Sequence, residues 1–282
     1  MKAQKYYQTL SYLIVCILVM ALVCAGSGLA LAVVKITATG GDRPEEPPIE
    51  TEPPAKDTAT PLPSTIMGET ADFGMGYIDK MIFFGESTTA HLANRGVLTG
   101  GKETNQVWSE SSGTRTLSSK ITSQIISTPE TVKGMTVIEA CKQEQPEYMV
   151  LSFGLNGIQQ FISNKQSFIA PYQNLISAIQ KASPNTRIIL QSVYPIAESN
   201  NTFSVDALTI DRYILTLNTW LQEIAETNDN VRYCDTASVL RNQFNALNPA
   251  YDVGDGVHLT KNAYEQILMY LRTHGWVESI NE

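Results

Sequence analysis

From about residue 74 onward one unit recurs: a short apolar run, a turn rich in glycine or polar residues, then apolar residues at helical spacing. The apolar runs are "KMIFFG", "NQVWSE" (the weakest), "EYMVLSFG", "TRIILQSVYP" and "NVRYCDT". Between and after them come the helical patterns "STTAHLAN", "MTVIEACKQ", "QSFIAPYQNLISAIQKAS", "ALTIDRYILTLNTWLQEIAETN" and "TKNAYEQILMYLRTHG". Runs too short for helices, apolar throughout and separated by helices, are the pattern of parallel strands buried on both faces. The expected fold is therefore α/β: three layers, α/β/α, around a five-stranded parallel sheet. In open sheets of this kind a ligand crevice lies at the carboxyl ends of the strands.

The longest helical pattern carries Leu208, Ile210, Ile214, Leu217, Leu221 and Ile224 as its apolar face. Pro171 marks an early kink or the first turn of the helix before it, and Gly275 ends the last helix. No internal repeat is present.

The region before residue 74 is of another kind. Leu10 to Val34 has no charge over 25 residues, long enough for a helix to cross a hydrocarbon core of about 30 Å. Lys2 and Lys5 precede it and an acidic stretch follows Lys35, so residues 1–9 are expected in the cytoplasm, 10–34 as a transmembrane signal-anchor, and the rest outside the cell membrane. The rival is a cleaved signal peptide, with Ala30-Leu31-Ala32 as its A-x-A site. Its apolar core exceeds the roughly 7–15 residues usual for such peptides. Cys24 does not make a lipoprotein signal, since Val23 stands where a small residue is required. Residues 35–73 read as a Pro/Glu/Thr-rich linker; 36–66 alone hold seven of the thirteen prolines. Such a composition has too little to bury to offset its ordering entropy, and in polyproline II form it spans on the order of 90 Å.

Residues 74–282 then form one domain. A net charge of −8 and a pI near 5.0 argue against nucleic acid as a partner. Cys141 and Cys234 sit in apolar settings and read as small core residues. No Cys/His spacing suggests a metal.

Three polar groups fall at strand ends. "MIFFGESTT" delivers Ser87 directly after the first strand, and a serine hydroxyl needs a neighbouring base to become a nucleophile. His91, His258 and His274 are the candidates. His91, four residues after Ser87, would share its helix face, a poor angle for attack on a third group. His274 sits at a helix end, where histidine is ordinary capping chemistry. His258 lies in "YDVGDGVHLT" with Asp255 three residues earlier, placed to accept the Nδ1 hydrogen; Asp252 is the rival orienter. Taken alone, "DVGDG" is equally a polar turn. Acyl transfer also needs donors for the developing oxyanion. Asn156 in "SFGLNGI", Gly113 in "SSGTRT" and the Ser87 N–H at a helix start could supply them, and each fragment by itself also reads as a plain loop.

Together "FFGESTT", "SSGTRT", "SFGLNGI" and "DGVHLT" resemble, in order, the four blocks of the SGNH (GDSL-like) hydrolases. The resemblance spans about Met81 to Leu271. It implies a flavodoxin-like fold, Ser87 as nucleophile, Gly113 and Asn156 completing the oxyanion hole with Ser87, Asp255 and His258 completing the triad, and no cofactor. Two departures stand out: Glu86 replaces the usual Asp of Gly-Asp-Ser, and Gly157 replaces the Asp of Gly-x-Asn-Asp. Gly100-Gly101 rivals Gly113, since it also lies between the first two strands.

The expected protein is a membrane-anchored extracytoplasmic serine esterase removing acyl groups, in particular acetyl, from cell-envelope carbohydrate or a small ester. The address motivates the polymer. An acyltransferase with the same chemistry and a catalytically silent glycan- or partner-binding domain are the alternatives. Trp108 and Tyr194 are candidate sugar-contact aromatics, with burial in the core as the competing reading.

Overall fold

The computed structural model describes residues 65–110, 113–200 and 202–278. The charge-free segment and all of the linker before Thr65 lie outside the described residues. Among those described, no helix is long and apolar enough to cross a membrane.

The elements run α1 (Met75–Ile78), β1 (Met81–Gly85), α2 (Ser87–Asn94), β2 (Val107–Trp108), α3 (Val137–Glu144), β3 (Tyr148–Ser152), α4 (Ile158–Ser163), α5 (Gln166–Ala182), β4 (Arg187–Gln191), α6 (Ala207–Glu226), β5 (Val231–Cys234) and α7 (Lys261–Thr273). The five strands pair in the order β2-β1-β3-β4-β5, every pair parallel. Each apolar run of the sequence became a strand, although "NQVWSE" supplies only two strand residues.

Side chains alternate across the sheet and divide the core in two. Phe84, Leu151, Leu190 and Tyr233 enter one cluster with residues of α3, α4, α5 and α6. Phe83, Val150, Ile189 and Cys234 enter the other, with residues of α2 and α7. Cys141 and Cys234 are both buried free thiols. Helix ends are capped locally: Thr136 and Glu139 form a reciprocal capping box at α3, a device worth about 1 kcal/mol.

Several details depart from the sequence pattern. Leu208 is 62% exposed; Ile210, Ile214, Leu217, Leu221 and Ile224 keep a 4-3-4-3 spacing, and Leu208, two residues before Ile210, falls on the opposite side. Pro171 lies inside α5. The globular unit reaches back beyond Gly74: Met67 N donates to Tyr233 O, Thr70 N to Thr273 O, and Asp72 pairs with Arg272. Helices α1 and α4 were not legible as separate elements.

The order 2-1-3-4-5 reverses direction between β1 and β3, and loops leaving such a reversal part to form a crevice. Ser87 follows β1 and Asn156 follows β3, on the two sides of that point.

Candidate active site

β1 ends at Gly85 because nothing larger fits. A Cβ there would lie 2.2 Å from Thr89 Oγ1 and 2.4 Å from the Ser152 carbonyl. The close approach lets the chain turn at once into α2, with Ser87 as its first residue. The Ser87 N–H is thus one of the first-turn donors that have no acceptor within the helix.

Glu86 is the N-cap of α2, yet its side chain makes no cap bond. It reaches to the loop after β3, where Oε1 accepts from Gly154 N at 2.6 Å and Oε2 from Asn156 N at 3.1 Å. Burial drives its carboxyl up to about 8, against the lowering effect of those main-chain N–H groups. The Asn156 amide donates one Nδ2 hydrogen to the Arg115 carbonyl at 3.1 Å; its second hydrogen is left for another acceptor. Gly157 caps the start of α4 with φ +93°, a left-handed conformation that strains a residue bearing a Cβ.

The loop before α7 is built from its own hydrogen bonds. Asp252 Oδ1 accepts from Gly254 N at 2.8 Å and Gly256 N at 2.9 Å. Asp252 therefore shapes the turn and does not face the imidazole. Asp255 Oδ1 accepts from Val257 N at 2.9 Å and His258 N at 2.8 Å, and Oδ2 meets His258 Nδ1 at 2.7 Å. Burial raises the Asp255 carboxyl, but the N–H groups of His258 and Val257 and the imidazole outweigh it and hold it at about 2. It stays ionised at neutral pH.

His258 Nε2 lies 3.0 Å from Ser87 Oγ. These residues are 171 positions apart in sequence and meet over the β1–β3 reversal. A Ser–His–Asp chain of hydrogen bonds is the arrangement that can deprotonate a hydroxyl as it attacks.

The other candidates fall differently. The Gly113 N–H is 3.2 Å from the Glu110 carbonyl and closes a turn, although Gly113 lines the same cleft as Ser87. Gly100 and Gly101 line neither cleft at Ser87. His91 packs its ring on that of His258, centroids 4.6 Å apart. Burial, then His258 and Arg95, lower its pKa, while Asp255 raises it. His274 stacks on Tyr270 at the end of α7, away from the cleft. Trp108 and Tyr194 are 1% and 6% exposed and belong to the core.

Two clefts open from the Ser87–His258 pair. The smaller, 280 Å³, is walled by Leu155, Phe203 and Val257 as well as Asn156. The larger, 840 Å³, is lined by amides, hydroxyls and charged groups, among them Asn94, Asn105, Ser109 and Thr128, with apolar surface of similar extent between them. Phe203 was missed in the sequence because nothing in "NNTFSV" marks it as facing the site. A separate hollow of 540 Å³ lies near Asp229, Arg232 and Trp276.

No curated protein matches the chain in sequence. Among solved structures, a Streptococcus pneumonia protein assigned provisionally as a platelet activating factor is similar at 16% identity over 68% of this chain and 82% of that one, TM-score 0.48. A GDSL-like lipase from Bacteroides thetaiotaomicron shows 20% identity over 68% and 86%, TM-score 0.44. A carbohydrate esterase family 3 protein from Talaromyces cellulolyticus shows 16% over 68% and 93%, TM-score 0.42. The assignment rests instead on the family model for GDSL-like lipases and acylhydrolases, which matches residues 83–266, well over half of the sequence. The chain belongs to the GDSL-like lipase/acylhydrolase family and is an ester hydrolase.

Proposed function

We propose that this protein is a membrane-anchored serine esterase whose domain works outside the cell membrane and removes acetyl or other short acyl groups from cell-envelope carbohydrate. The observation that carries the chemistry is the pair of contacts Ser87 Oγ–His258 Nε2, 3.0 Å, and His258 Nδ1–Asp255 Oδ2, 2.7 Å.

Ser87 Oγ attacks the ester carbonyl while its proton passes to His258 Nε2. The carbonyl electron pair moves onto oxygen, and Asp255 stabilises the imidazolium and fixes its tautomer. The oxyanion takes hydrogen bonds from the Ser87 N–H and the free Asn156 Nδ2 hydrogen. Gly113 joins them on exchanging its Glu110 carbonyl for the oxyanion. Collapse expels the alcohol oxygen, which receives the proton from Nε2, and leaves an acyl-serine. Water then repeats the cycle and releases the acid.

The carbohydrate reading has two supports. Sugar hydroxyls need donors and acceptors, and the larger cleft offers amides and hydroxyls; the smaller, apolar-walled cleft suits an acyl group. The charge-free segment 10–34 and the proline-rich stretch after it suit work on a polymer beside a bilayer.

The test is acetate release by the full chain from 4-nitrophenyl acetate and from an O-acetylated polysaccharide. Wild type should turn over both and Ser87→Ala neither; equal behaviour of the two proteins overturns the serine mechanism. Labelling of Ser87 by a fluorophosphonate counts against a silent binding domain, and acyl transfer to an added saccharide in place of free acid would make the protein a transferase. Protease treatment of intact cells tests the address: the domain should be cut.

A further inference from the structure

Glu86 is a carboxylic acid 5% exposed, and among the described residues its hydrogen bonds come from main-chain N–H groups, not from Lys, Arg or His. Burying a carboxylate away from any cation is costly, and as an N-cap it leaves its usual capping work undone. What it does instead is grip one loop: Gly154 N at 2.6 Å, and Asn156 N at 3.2 and 3.1 Å from its two oxygens. Glu86 adjoins the serine, and Asn156 carries the side-chain donor. The Asn156 main chain is thus held by Glu86 and its amide by the Arg115 carbonyl, 3.1 Å away. The side chain is one methylene longer than aspartate, and it spans from the end of β1 to the loop after β3.

We propose that Glu86 is a positioning residue: by accepting the Gly154 and Asn156 N–H groups it sets where the Asn156 amide stands relative to Ser87, and so how well the oxyanion is received. This rests on the reading of Asn156 as an oxyanion donor. Ionised, the carboxylate grips those N–H groups most strongly; burial brings its titration up to about 8. Tyr172 of α5, whose hydroxyl is tied to the Phe153 main chain, senses its charge.

Glu86→Gln keeps a carbonyl oxygen where Oε1 stands but removes the charge and puts an NH₂ where Oε2 accepts from Asn156 N, whereas Glu86→Asp keeps the charge. Removing an oxyanion donor outright costs about 10²- to 10³-fold in kcat. For the full chain on 4-nitrophenyl acetate, assayed above about pH 8 where Glu86 is ionised, Glu86→Gln should therefore lose about 10- to 100-fold in kcat, with KM changed less than about threefold. Glu86→Asp should stay within about tenfold of wild type. The decisive measurement is a double-mutant cycle: once Asn156→Ala is present, adding Glu86→Gln should cost less than about threefold more. The wild-type advantage over Glu86→Gln should also widen as pH rises through about 8.

Losses that multiply in the cycle, an unchanged kcat in Glu86→Gln, or a pH-independent ratio would each overturn the proposal. If Asn156→Ala alone leaves kcat unchanged while Ser87→Ala abolishes activity, the donor reading of Asn156 is what fails. If neither Glu86 variant folds, Glu86 serves the fold and the proposal is overturned on that ground.

Discussion

Glu86 and Asp255 are carboxylates on either side of one 3.0 Å contact, and they are held in opposite ways. Glu86 is buried, bonded to a loop 68 and 70 residues away in sequence. Asp255 is half-exposed and bonded to its neighbours two and three residues on. Burial dominates the first and raises its pKa to about 8, while local N–H groups and an imidazole hold the second at about 2. The serine side of the site is therefore part of the core, and the histidine side is a surface loop that braces itself. Disturbing the first should damage fold and activity together; disturbing the second should damage activity far more than fold.

The sharpest way to break that contrast is His258→Ala. We expect kcat/KM to fall about 10³-fold or more while the melting temperature moves by no more than a few degrees, read by ester turnover and thermal melts. A variant that unfolds would show that the loop supports the core. Asp255→Asn comes next, with a loss of about 10²- to 10⁴-fold in kcat, because the amide no longer holds the imidazole in the reactive tautomer.

The pH dependence of stability then sharpens the comparison, since the two carboxylates act with opposite signs. The Glu86 pKa is raised from 4.5 to about 8: between these values the native state keeps a proton that the unfolded chain has lost. Its contribution therefore falls as pH climbs from 4.5 to about 8. The Asp255 pKa is lowered from 3.8 to about 2, so its contribution is complete above 3.8 and vanishes as pH drops toward 2. Melts of wild type against Glu86→Gln should diverge in the first window, and against Asp255→Asn in the second. The smallest effect is expected from Asp252→Ala, which removes the Oδ1 that accepts two loop N–H groups. It should cost about 1 kcal/mol and roughly tenfold in kcat, measured by denaturant unfolding and steady-state kinetics.

Much of this was readable beforehand, for identifiable reasons. β1, β4 and α6 carry long unmixed signals, and Ser87, Asn156 and His258 each sit just past an apolar run or a glycine-marked turn. Asp255 could be favoured over Asp252 because a three-residue step suits a return to the imidazole. Legibility failed where a residue's role depends on what lies across from it. The destination of the Glu86 side chain depends on the loop after β3, and the Gly113 N–H is already engaged by Glu110. Trp108 is covered by the packed core, and Phe203 faces the small cleft. Residues before Gly74 join the domain through main-chain pairing with β5 and the end of α7, which proline content cannot reveal.

What the sequence determined by itself is periodicity and order. Apolar runs alternating with helices demand a parallel sheet, and the chain order of serine, asparagine and histidine behind those runs puts all three at carboxyl ends. What only the tertiary structure decided is distance and burial. The strand order 2-1-3-4-5 sets β1 beside β3 and brings His258 to Ser87 across 171 residues. The same packing strips water from Glu86 and leaves Asp255 half in solvent. Local pattern fixes which way each side chain leaves the backbone, whereas the dielectric around it and the partner opposite belong to the whole packed molecule.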